Sequence, residues 1–485
     1  MKKKSFVSNY FYYMISEVLT ILVPLITTPY VSRVLNATEI GNYGFTSGIV
    51  SYFGIAAALG TVNYAKRELA YVQNDAEKRS KVFWEILILR AITTSCTFVL
   101  YLGFVHITLS DLKLLYKIQI ITVLSWYCDI SWLFGGMEDF KVVSMRNTFI
   151  KTLGMILIFI FVKNSHDVWK YTAILSGSLL IGNLTAVPYA KKYIIKIPIH
   201  SLHIFKHMSG ILIMFASVVA VQLYTVLDQT MLGRMVNTTE VGYYTQAQKI
   251  IRVALTIISS FALVLLPRIA TLYKENNKKE MEKYWRISID YLFMLSLPMM
   301  VGCIICADQF VPLFYGPGYE PVSSLLIVLS ILFVILGSGQ ILGTLLTAID
   351  MQKYATIAVS LGAVVNICLN LLLIRRYHAV GAAAASVVAE SLVTFIQLLY
   401  LKKRLDFSYA LGSILRYSVP SLIMAFVIIL IKQLPINGWI SLIVQVISGV
   451  LTYFTILILR KDSMIFDLTG KLMNRFKREK TDECA

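Results

Sequence analysis

The apolar residues of this chain fall in blocks of about twenty, separated by short stretches that carry charges, glycine, proline or asparagine. A helix of that length spans the ~30 Å hydrocarbon core of a bilayer, because each helical residue rises ~1.5 Å. The blocks lack the alternation of polar and apolar positions that marks the strands of membrane barrels. The pattern therefore predicts an all-α protein that crosses a membrane many times.

Fourteen blocks are predicted to be membrane-spanning helices. They cover residues 6–31, 42–62, 83–107, 114–134, 148–162, 171–190, 209–232, 242–266, 284–307, 322–349, 354–374, 379–401, 413–431 and 438–459. Because this number is even, both ends of the chain are expected on the same side of the membrane.

Composition agrees with this interpretation and excludes an ordinary water-soluble enzyme. Apolar residues make up 57% of the chain and charged residues 15%, against roughly 25% charged residues in soluble domains. No G-x-x-x-x-G-K-[ST] motif for nucleotide phosphates is present, and no polar stretch is long enough to fold a catalytic domain. We therefore expect a membrane protein without catalytic residues, cofactor or metal.

Two small groups of potential metal or redox residues are interpreted as structural. Cys303 and Cys306 form C-x-x-C inside an apolar block, where thiols usually pack as small apolar groups. The histidines at positions 200, 203 and 207 lie in a basic segment between two blocks. Solvated surface is the preferred prediction for these histidines, ahead of a metal site.

The basic residues predict the orientation of the chain. Of the 45 lysines and arginines, 30 fall at the two ends or in every second loop, whereas only 8 fall in the alternate loops. The positive-inside rule then places both termini in the cytoplasm. The net charge of +18 is attributed to this topology and to contact with anionic lipids, and nucleic acid is not a predicted partner.

An internal repeat is the most informative sequence feature. Residues 33–43 read RVLNATEIGNY and residues 234–244 read RMVNTTEVGYY, an offset of 201 positions. The same offset pairs Arg67 with Arg268 and Trp84 with Trp285. Since six predicted spans separate the two copies, they run in the same direction. The repeat predicts two six-helix lobes related by a pseudo-twofold axis along the membrane normal.

The repeat and the loops together predict a domain organisation. The predicted parts are an N-terminal lobe at 1–190, a basic cytoplasmic linker at 191–208, a C-terminal lobe at 209–401, two additional helices at 402–460 and a basic cytoplasmic tail at 461–485.

The repeated motif itself is interpreted as architecture. Asn36 with Glu39, and Asn237 with Glu240, have the spacing of a capping box, in which side chains satisfy the free amide groups of a helix start. The motif is therefore expected to begin helices 2 and 8 at the outer surface.

Charges inside the predicted spans are the candidate functional groups, because a charge at the bilayer centre costs ~3 kcal/mol or more. Arg90, Lys249 and Arg252 are the candidate cations for binding a diphosphate, the last two being three residues apart on one helix face. Glu17 and Asp228 are the candidate acids for ion or proton coupling. The alternative for each residue is a structural ion pair or a side chain that reaches the membrane interface. Three further acids lie within predicted spans: Asp129, Asp290 and Glu390.

Two long segments carry a resemblance to a known family. They are PLITTPYVSRVLNATEIGNYGFTSGIVSYFGIAAALGTVNYAKRELA at 24–70 and VLDQTMLGRMVNTTEVGYYTQAQKIIRVALTIISSFALVLLPRIA at 226–270. With two six-helix lobes and two additional C-terminal helices, the chain resembles the polysaccharide-transporter flippases. That family shares a superfamily with the multidrug and toxin extrusion exporters and the lipid II flippase.

The resemblance implies a MATE-like fold and a transport function in the bacterial cytoplasmic membrane. The implied substrate is an undecaprenyl-diphosphate-linked oligosaccharide, moved from the inner to the outer leaflet by alternating access for capsule, exopolysaccharide or O-antigen synthesis. Polysaccharide polymerases and glycosyltransferases of the same pathway are the implied partners. The assignment of Arg90, Lys249 and Arg252 to the diphosphate rests on charge and position alone.

Three alternatives remain open at the level of sequence. A multidrug exporter driven by Na⁺ or H⁺ would share the fold, although such exporters typically keep acidic cavity residues. A lipid II flippase differs only in its substrate. A membrane glycosyltransferase or polymerase is disfavoured because it usually places catalytic acids and metal ligands in sizeable aqueous loops.

Overall fold

The computed structural model describes the backbone of residues 6–402, 408–462 and 464–465, and the side chains of these residues except 6–17, 20, 140, 213, 216–225 and 260–267. Fifteen α-helices account for most of this backbone. They are α1 Phe6–Ala58, α2 Thr61–Tyr71, α3 Ala76–Ile107, α4 Lys113–Ser125, α5 Ser131–Gly136, α6 Phe140–Phe161, α7 Val168–Ala190, α8 Met208–Met235, α9 Thr238–Lys274, α10 Lys278–Tyr315, α11 Pro321–Ser330, α12 Leu332–Ala348, α13 Gln352–Leu401, α14 Ser408–Lys432 and α15 Gly438–Leu459.

The predicted fold class, an all-α polytopic membrane protein, is confirmed. Within the described ranges, ten helical stretches are long and apolar enough to cross a membrane. The stretch Gln352–Leu401 contains two of the predicted spans, and Ile21–Tyr71 contains the predicted span 42–62 together with the end of the predicted span 6–31. Helices α8 and α9 coincide with the predicted spans at 209–232 and 242–266.

Single residues in strained backbone conformations divide the two longest helices. In α1 the break is Asn36, with φ 61° and ψ 173°, and in α13 it is His378, with φ 51° and ψ −130°. Residues other than glycine rarely adopt a positive φ. Each break falls between two predicted spans, so it marks where one membrane crossing ends and the next begins.

The asparagine half of the capping box predicted for the repeated motif is confirmed. The Oδ1 atom of Asn36 accepts a hydrogen bond from the Glu39 amide at 3.1 Å, and Oδ1 of Asn237 accepts one from the Glu240 amide at 2.9 Å. These bonds satisfy amide groups that have no partner within the first helical turn. Because Asn36 is the cap, the second crossing begins about five residues before the predicted start at residue 42.

The fourth predicted span is broken where a continuous helix was expected. Helix α4 ends at Ser125, a single 3₁₀ turn covers Trp126–Cys128, and Asp129 is extended before α5 begins. The Asp129 side chain accepts the Ser131 amide at 3.1 Å, and its carbonyl oxygen accepts the Trp132 indole N–H at 3.1 Å. Broken spans are tolerated where protein groups replace the missing backbone bonds.

Two compact units make up the chain. Unit 1 comprises residues 1–245 and 315–318, and unit 2 comprises residues 246–314 and 319–485. In unit 1, α1 packs against α3, α6 and α8. In unit 2, α13 packs against α11 and α12, and α14 packs against α15. The lobe boundaries inferred from the sequence repeat stay a prediction.

The segment between α7 and α8 is held to α3 by buried polar contacts. The Arg79 side chain donates to the Tyr193 carbonyl oxygen at 2.8 Å, and Ser80 accepts the Ile195 amide at 2.9 Å. Burial, followed by the neighbouring carboxylate of Asp139, raises the pKa of Tyr193 to about 12. Its hydroxyl therefore stays protonated at neutral pH and donates to Asp139.

One histidine of this segment departs from the prediction of a solvated surface. His207 is buried, with Nε2 2.8 Å from Glu85 and Nδ1 3.0 Å from the Tyr64 hydroxyl. His200 and His203 are exposed as expected. Local sequence pattern does not reveal this difference, because Glu85 lies 122 positions away from His207.

In unit 2, the two C-terminal helices are anchored to α10 by polar contacts. Lys432 of α14 pairs with Asp308 at 2.8 Å. The Tyr453 hydroxyl of α15 donates to the Met294 carbonyl oxygen at 2.8 Å. Asp290 is buried and accepts hydroxyl groups from Ser413 and Tyr409. These contacts make the structural alternative the better interpretation of Asp290.

Candidate functional site

A polar cavity of about 560 Å³ lies among the helices of unit 1. Its walls come from the second half of α1, the α1–α2 connection, the start of α2, from α3, α4 and α7, and from the break after α4. The lining residues are Tyr43, Ser47, Val50, Ser51, Gly54, Ile55, Ala58, Gly60, Val62, Asn63, Arg90, Gln119, Thr122, Trp126, Asp129, Leu175, Ser176 and Leu179. We refer to it as the unit 1 cavity.

A cluster of three charges lies at this cavity. Arg90 donates through Nη2 to Asp129 at 3.0 Å, and Arg146 donates through Nη1 to the other Asp129 oxygen at 3.4 Å. The Arg90 side chain is 5% exposed and that of Arg146 is 13% exposed. One carboxylate therefore faces two guanidinium groups, which leaves an excess positive charge in a largely buried environment.

Arg90 has hydrogen-bonding capacity that this pairing does not use. Among the side chains that the structure describes, none accepts a hydrogen bond from its buried Nε or Nη1 atom. A buried charged donor without an acceptor is costly, so such groups usually have a ligand, an ion or water as partner. Since Arg90 lines the cavity, an anion that enters it could supply the missing acceptors.

The Asp129 break is what brings the two arginines together. Because the backbone leaves the helical path at Asp129, its carboxylate can meet Arg90 of α3 and Arg146 of α6. Arg146 is held further by Asn183 of α7, whose Oδ1 lies 3.3 Å from Nη1. The arrangement fixes both cations on helices rather than on a loop.

Asp228, a candidate for coupling, is buried in unit 1. Its Oδ2 accepts the Tyr244 hydroxyl at 2.5 Å. Tyr52 and Thr230 share a hydroxyl contact of 2.6 Å nearby on α1 and α8. A carboxylate that accepts a short bond from tyrosine fits a structural role as well as a coupling role, so the assignment of Asp228 stays a prediction.

The remaining candidate residues are not brought into this cavity. Lys249 is half-buried and Arg252 is exposed on α9, where Nη2 of Arg252 lies 3.4 Å from Oε1 of Gln248. Both belong to unit 2, whereas Arg90 belongs to unit 1. The side chain of Glu17 lies outside the described residues. A shared role for the three cations therefore stays a prediction.

Sequence reasoning missed Arg146, which it counted as a loop residue. Helix α6 begins at Phe140 rather than at the predicted residue 148, and this places Arg146 inside the bundle. It also passed over uncharged polar residues inside the spans. Gln119 and Asn183 are both buried. Gln119 donates a hydrogen bond to the Thr46 hydroxyl at 2.7 Å, and Asn183 donates one to the Ser125 carbonyl oxygen at 2.9 Å. A search for carboxamides within apolar blocks would have found them.

A second cavity, of about 550 Å³, lies in unit 2 and is almost wholly apolar. Pro298, Met299, Phe310 and Val446 are among its lining residues, together with the two cysteines of the C-x-x-C sequence. Both thiols are free, as expected for one face of an apolar helix. This cavity offers no cation, so it is a poor candidate for the anionic part of a substrate.

The two copies of the repeated motif meet each other within unit 1. The hydroxyls of Thr38 and Thr239, which occupy equivalent positions, are 2.8 Å apart. A methyl group on Gly41 would lie 1.6 Å from the Thr238 carbonyl oxygen, and one on Gly242 would lie 2.0 Å from that of Ala37. Only glycine permits this approach of two backbones. We call the pairing of residues 37–41 with 238–242 the motif contact.

No group of three or more His, Cys, Asp or Glu side chains that could hold a metal ion occurs in the part of the chain that the structure describes.

Comparison with protein families gives two matches. The model of a family described as polysaccharide biosynthesis protein matches residues 6–273, more than half of the chain. The MatE family model matches residues 214–372. Together the two matches cover most of the helical bundle and agree with the resemblance seen in the sequence.

Individual relatives have low sequence identity to this chain over long alignments. The chain is 26% identical over 237 residues to the probable low-salt glycan biosynthesis flippase Agl15 of Haloferax volcanii. The aligned region covers 49% of this chain and 50% of that relative. It is 22% identical over 414 residues to the putative O-antigen transporter of Escherichia coli strain K12, covering 82% of this chain and 97% of that one.

The solved structure of the lipid II flippase MurJ in an inward closed conformation has the same fold. The TM-score is 0.75 at 18% sequence identity, over 94% of this chain and 100% of that chain. At this identity the likeness is evidence for the fold alone.

Proposed function

Since this chain belongs to the polysaccharide biosynthesis protein family, we propose that it is a flippase for undecaprenyl-diphosphate-linked oligosaccharide repeat units. It moves them from the inner to the outer leaflet of the bacterial cytoplasmic membrane, for synthesis of capsule, exopolysaccharide or O-antigen. The comparisons support the coarser statement, a flippase for lipid-linked substrates, through relatives named as flippase and O-antigen transporter. The glycan comes from the resemblance and is the part to be tested.

The charge cluster of unit 1 is the observation that carries the proposal. A diphosphate is too strongly hydrated to cross hydrocarbon unless cations and hydrogen-bond donors replace its water. Arg90 and Arg146 outnumber Asp129 at the cavity, and Arg90 keeps two nitrogen atoms without an acceptor among the described residues. A cationic drug would meet the wrong sign of charge here.

Alternating access is the mechanism proposed, with the motif contact as the outer closure. By the predicted orientation, the starts of the second and eighth crossings lie at the outer surface. The motif contact holds these two helix starts together through backbone approach and one hydroxyl pair. In the proposed cycle, release of the substrate outward requires this contact to separate.

Coupling and partners complete the proposal. Asp228 and Glu17 are the proposed residues for ion or proton coupling, because an acid within the membrane can change protonation as its surroundings change. Lys249 and Arg252 are proposed as a second cationic group on α9. Polymerases and glycosyltransferases of the same pathway, and anionic lipids, are the expected partners.

A multidrug exporter of the same fold is the second candidate. The MatE match over residues 214–372 favours it. Such exporters typically keep acidic cavity residues for cationic drugs, whereas the acid of the unit 1 cavity, Asp129, is already paired with two arginines. Lipid II is a third possibility, which differs only in the headgroup carried.

The proposal is tested by deleting the gene in its native host and locating the lipid-linked repeat units. We expect them to accumulate on the cytoplasmic leaflet and to be exported again when wild-type protein is supplied. Arg90→Gln should restore export about tenfold less well, since a charged hydrogen bond contributes ~1.5–3 kcal/mol. The double variant Lys249→Ala with Arg252→Ala tests the second cationic group in the same strain.

Arg67→Gln is the matched control, because Arg67 is an exposed arginine of α2 outside the cavity. All variants are compared at equal amounts of membrane-inserted protein. Normal polysaccharide export in the deletion strain, without a redundant flippase, would overturn the proposal. Loss of drug resistance in that strain would favour the exporter, and accumulation of lipid II would change the substrate.

A further inference from the structure

The segment that joins α7 to α8, residues 191–207, carries a positive charge that nothing nearby offsets. We refer to this segment as the strap. It contains four lysines and no aspartate or glutamate. All four lysines are exposed, and none forms an ion pair with a carboxylate in the part of the chain that the structure describes. These lysines are Lys191, Lys192, Lys196 and Lys206.

Large apolar side chains of the strap are exposed between these lysines. Ile199 is 78% exposed, Phe205 is 70% exposed and Ile195 is 49% exposed. Basic and large apolar side chains occur together in segments that lie at a membrane interface, where the apolar groups reach the acyl chains and the ammonium groups stay among the headgroups. The exposed side chains of the strap therefore fit a lipid surface better than they fit water.

The contacts of the strap with α3 place it at the edge of the membrane. They fall on residues 79–85, and the span predicted for this helix begins at residue 83. The Trp84 indole N–H donates to the Ile195 carbonyl oxygen at 3.1 Å. Tryptophan is enriched where membrane meets water, because its ring is apolar and its N–H is polar. The strap therefore lies at the level where headgroups meet acyl chains.

Buried polar contacts hold the strap in one conformation. Glu85 is 2% exposed, accepts the His203 amide at 2.7 Å and lies 2.8 Å from Nε2 of His207. At the other end of the strap, the backbone groups of Tyr193 and Ile195 bond to α3. A surface fixed in this way binds a partner without the entropic cost of ordering a flexible loop.

We propose that the strap is a preformed binding surface for anionic phospholipids, with its lysines at the headgroup phosphates and with Ile199 and Phe205 among the acyl chains. By the predicted orientation, the strap faces the cytoplasmic leaflet, whose surface is negatively charged. The inference shares this orientation with the proposed function, but it does not depend on the cargo. A phospholipid without net charge has no electrostatic reason to prefer the strap to the rest of the protein surface.

Lipid cross-linking at one position tests the surface directly. Ile199 is replaced by the photoreactive residue p-benzoylphenylalanine in the full-length protein, in nanodiscs that contain equal amounts of phosphatidylglycerol and phosphatidylcholine. Mass spectrometry then identifies the adducts. We expect phosphatidylglycerol adducts to exceed phosphatidylcholine adducts at least about fivefold, the factor that one basic residue contributes near an anionic surface. The same replacement at Leu100, which is 67% exposed within α3, should report the bulk lipid ratio.

Two sets of lysine substitutions separate the strap from the general effect of charge. Changing the four strap lysines to glutamine should return the adduct ratio at residue 199 to the bulk value. The control changes four exposed lysines around the α9–α10 connection, on the same predicted side of the membrane, and should leave that ratio unchanged. Because only exposed side chains change, both proteins should melt like the wild type in detergent. The control substitutions are Lys274→Gln, Lys278→Gln, Lys279→Gln and Lys283→Gln.

Salt provides a second readout of the same surface. Raising the ionic strength from ~0.1 M to ~1 M shortens the screening length from ~10 Å to ~3 Å. The enrichment at residue 199 should therefore fall towards the bulk ratio, whereas the ratio at residue 100 should not change. A bulk ratio at residue 199 in the wild-type background would overturn the proposal, as would the absence of lipid adducts there or an enrichment that survives substitution of the strap lysines.

Failure of this inference is distinguishable from failure of the flippase proposal. The cross-linking experiment contains no transport substrate, so a bulk lipid ratio at residue 199 would reject the lipid surface and leave the export result untouched. Normal export in the deletion strain would reject the transport function and leave an enrichment of anionic lipid at the strap standing.

Discussion

At the residue scale, the charge balance at Asp129 decides how the broken fourth span is held. One carboxylate pairs with Arg90 at 3.0 Å and with Arg146 at 3.4 Å, and it also accepts the Ser131 amide. Removing one partner of a buried ion pair costs more free energy than the intact pair contributes to stability, because an uncompensated charge is left behind. The three members of this cluster should therefore differ in their sensitivity to substitution.

Asp129→Asn is predicted to destabilise the protein more than Arg90→Gln. It leaves two buried guanidinium groups without a counter-charge and should lower the free energy of unfolding by about 3–5 kcal/mol. Arg90→Gln should be milder, because Asp129 keeps Arg146 as its partner. Thermal unfolding of the purified variants in one detergent measures the order.

Asp111→Asn is the control for that comparison, since Asp111 is an exposed acid in the loop before α4. Equal melting temperatures for Asp129→Asn and Asp111→Asn would show that the cluster is not structural.

The residue scale is also where sequence reasoning succeeded least. Arg90 was identified because a charge within an apolar block is visible in any single sequence. Arg146 was not, because its burial depends on where α6 begins and on a carboxylate 17 positions earlier. The burial of His207 beside Glu85 depends on contacts of even greater separation. Pairing between distant residues is a tertiary property that local pattern does not contain.

At the element scale, the spans and their caps were predictable, whereas the breaks inside spans were less so. Apolar length located the helices, and the Asn-x-x-Glu spacing located the caps at Asn36 and Asn237. The break at Asp129 lies within an apolar block without proline or glycine at the break itself. The Asp129 carboxylate meets Arg90 and Arg146 at this break, and only the assembled helices provide that ion cluster.

Substitution of the motif glycines tests the element scale. Gly41→Ala and Gly242→Ala each place a methyl group at about 2 Å or less from a carbonyl oxygen, so the two helix starts must move apart. We expect a lower melting temperature for both variants, although alanine is intrinsically the better helix former by up to ~1 kcal/mol.

Gly103→Ala in α3 provides the matched control, because a methyl group there would have no neighbour within 4 Å. It should leave the melting temperature unchanged or raise it slightly. Melting temperatures of Gly41→Ala and Gly242→Ala that match the melting temperature of Gly103→Ala would contradict a structural role for the close backbone approach.

At the scale of the whole molecule, the alternating-access proposal makes the motif contact a closure that opens once per cycle. Most of the fold was predictable at this scale, because repeat, span number and resemblance all point to the same architecture. What the sequence could not provide was the contact between the two copies. A repeat implies equivalent structures, but it does not imply that they touch.

A disulfide across the motif contact tests this closure. The variant Thr38→Cys with Thr239→Cys, made without the native cysteines, should cross-link readily, since the native hydroxyls are 2.8 Å apart. We expect oxidation to stop export of lipid-linked units and a reductant to restore it. Either single cysteine variant should be insensitive to oxidant.

Undiminished export by fully cross-linked protein would contradict an opening of this contact during transport. Cross-linking is quantified on the same membranes that are assayed, so partial oxidation is not mistaken for activity of the locked form.

The motif contact has the geometry of a symmetric dimer interface inside a single chain. Thr38 meets its own counterpart Thr239, while Gly41 meets Thr238 in the same way as Gly242 meets Ala37. A surface that binds a copy of itself in this manner is self-complementary and closes with twofold symmetry. A chain of half the length, carrying one motif, would therefore present the surface needed to pair with its twin. When two such halves are joined in one polypeptide, the interface is kept and the sequence of each half can change independently of the other.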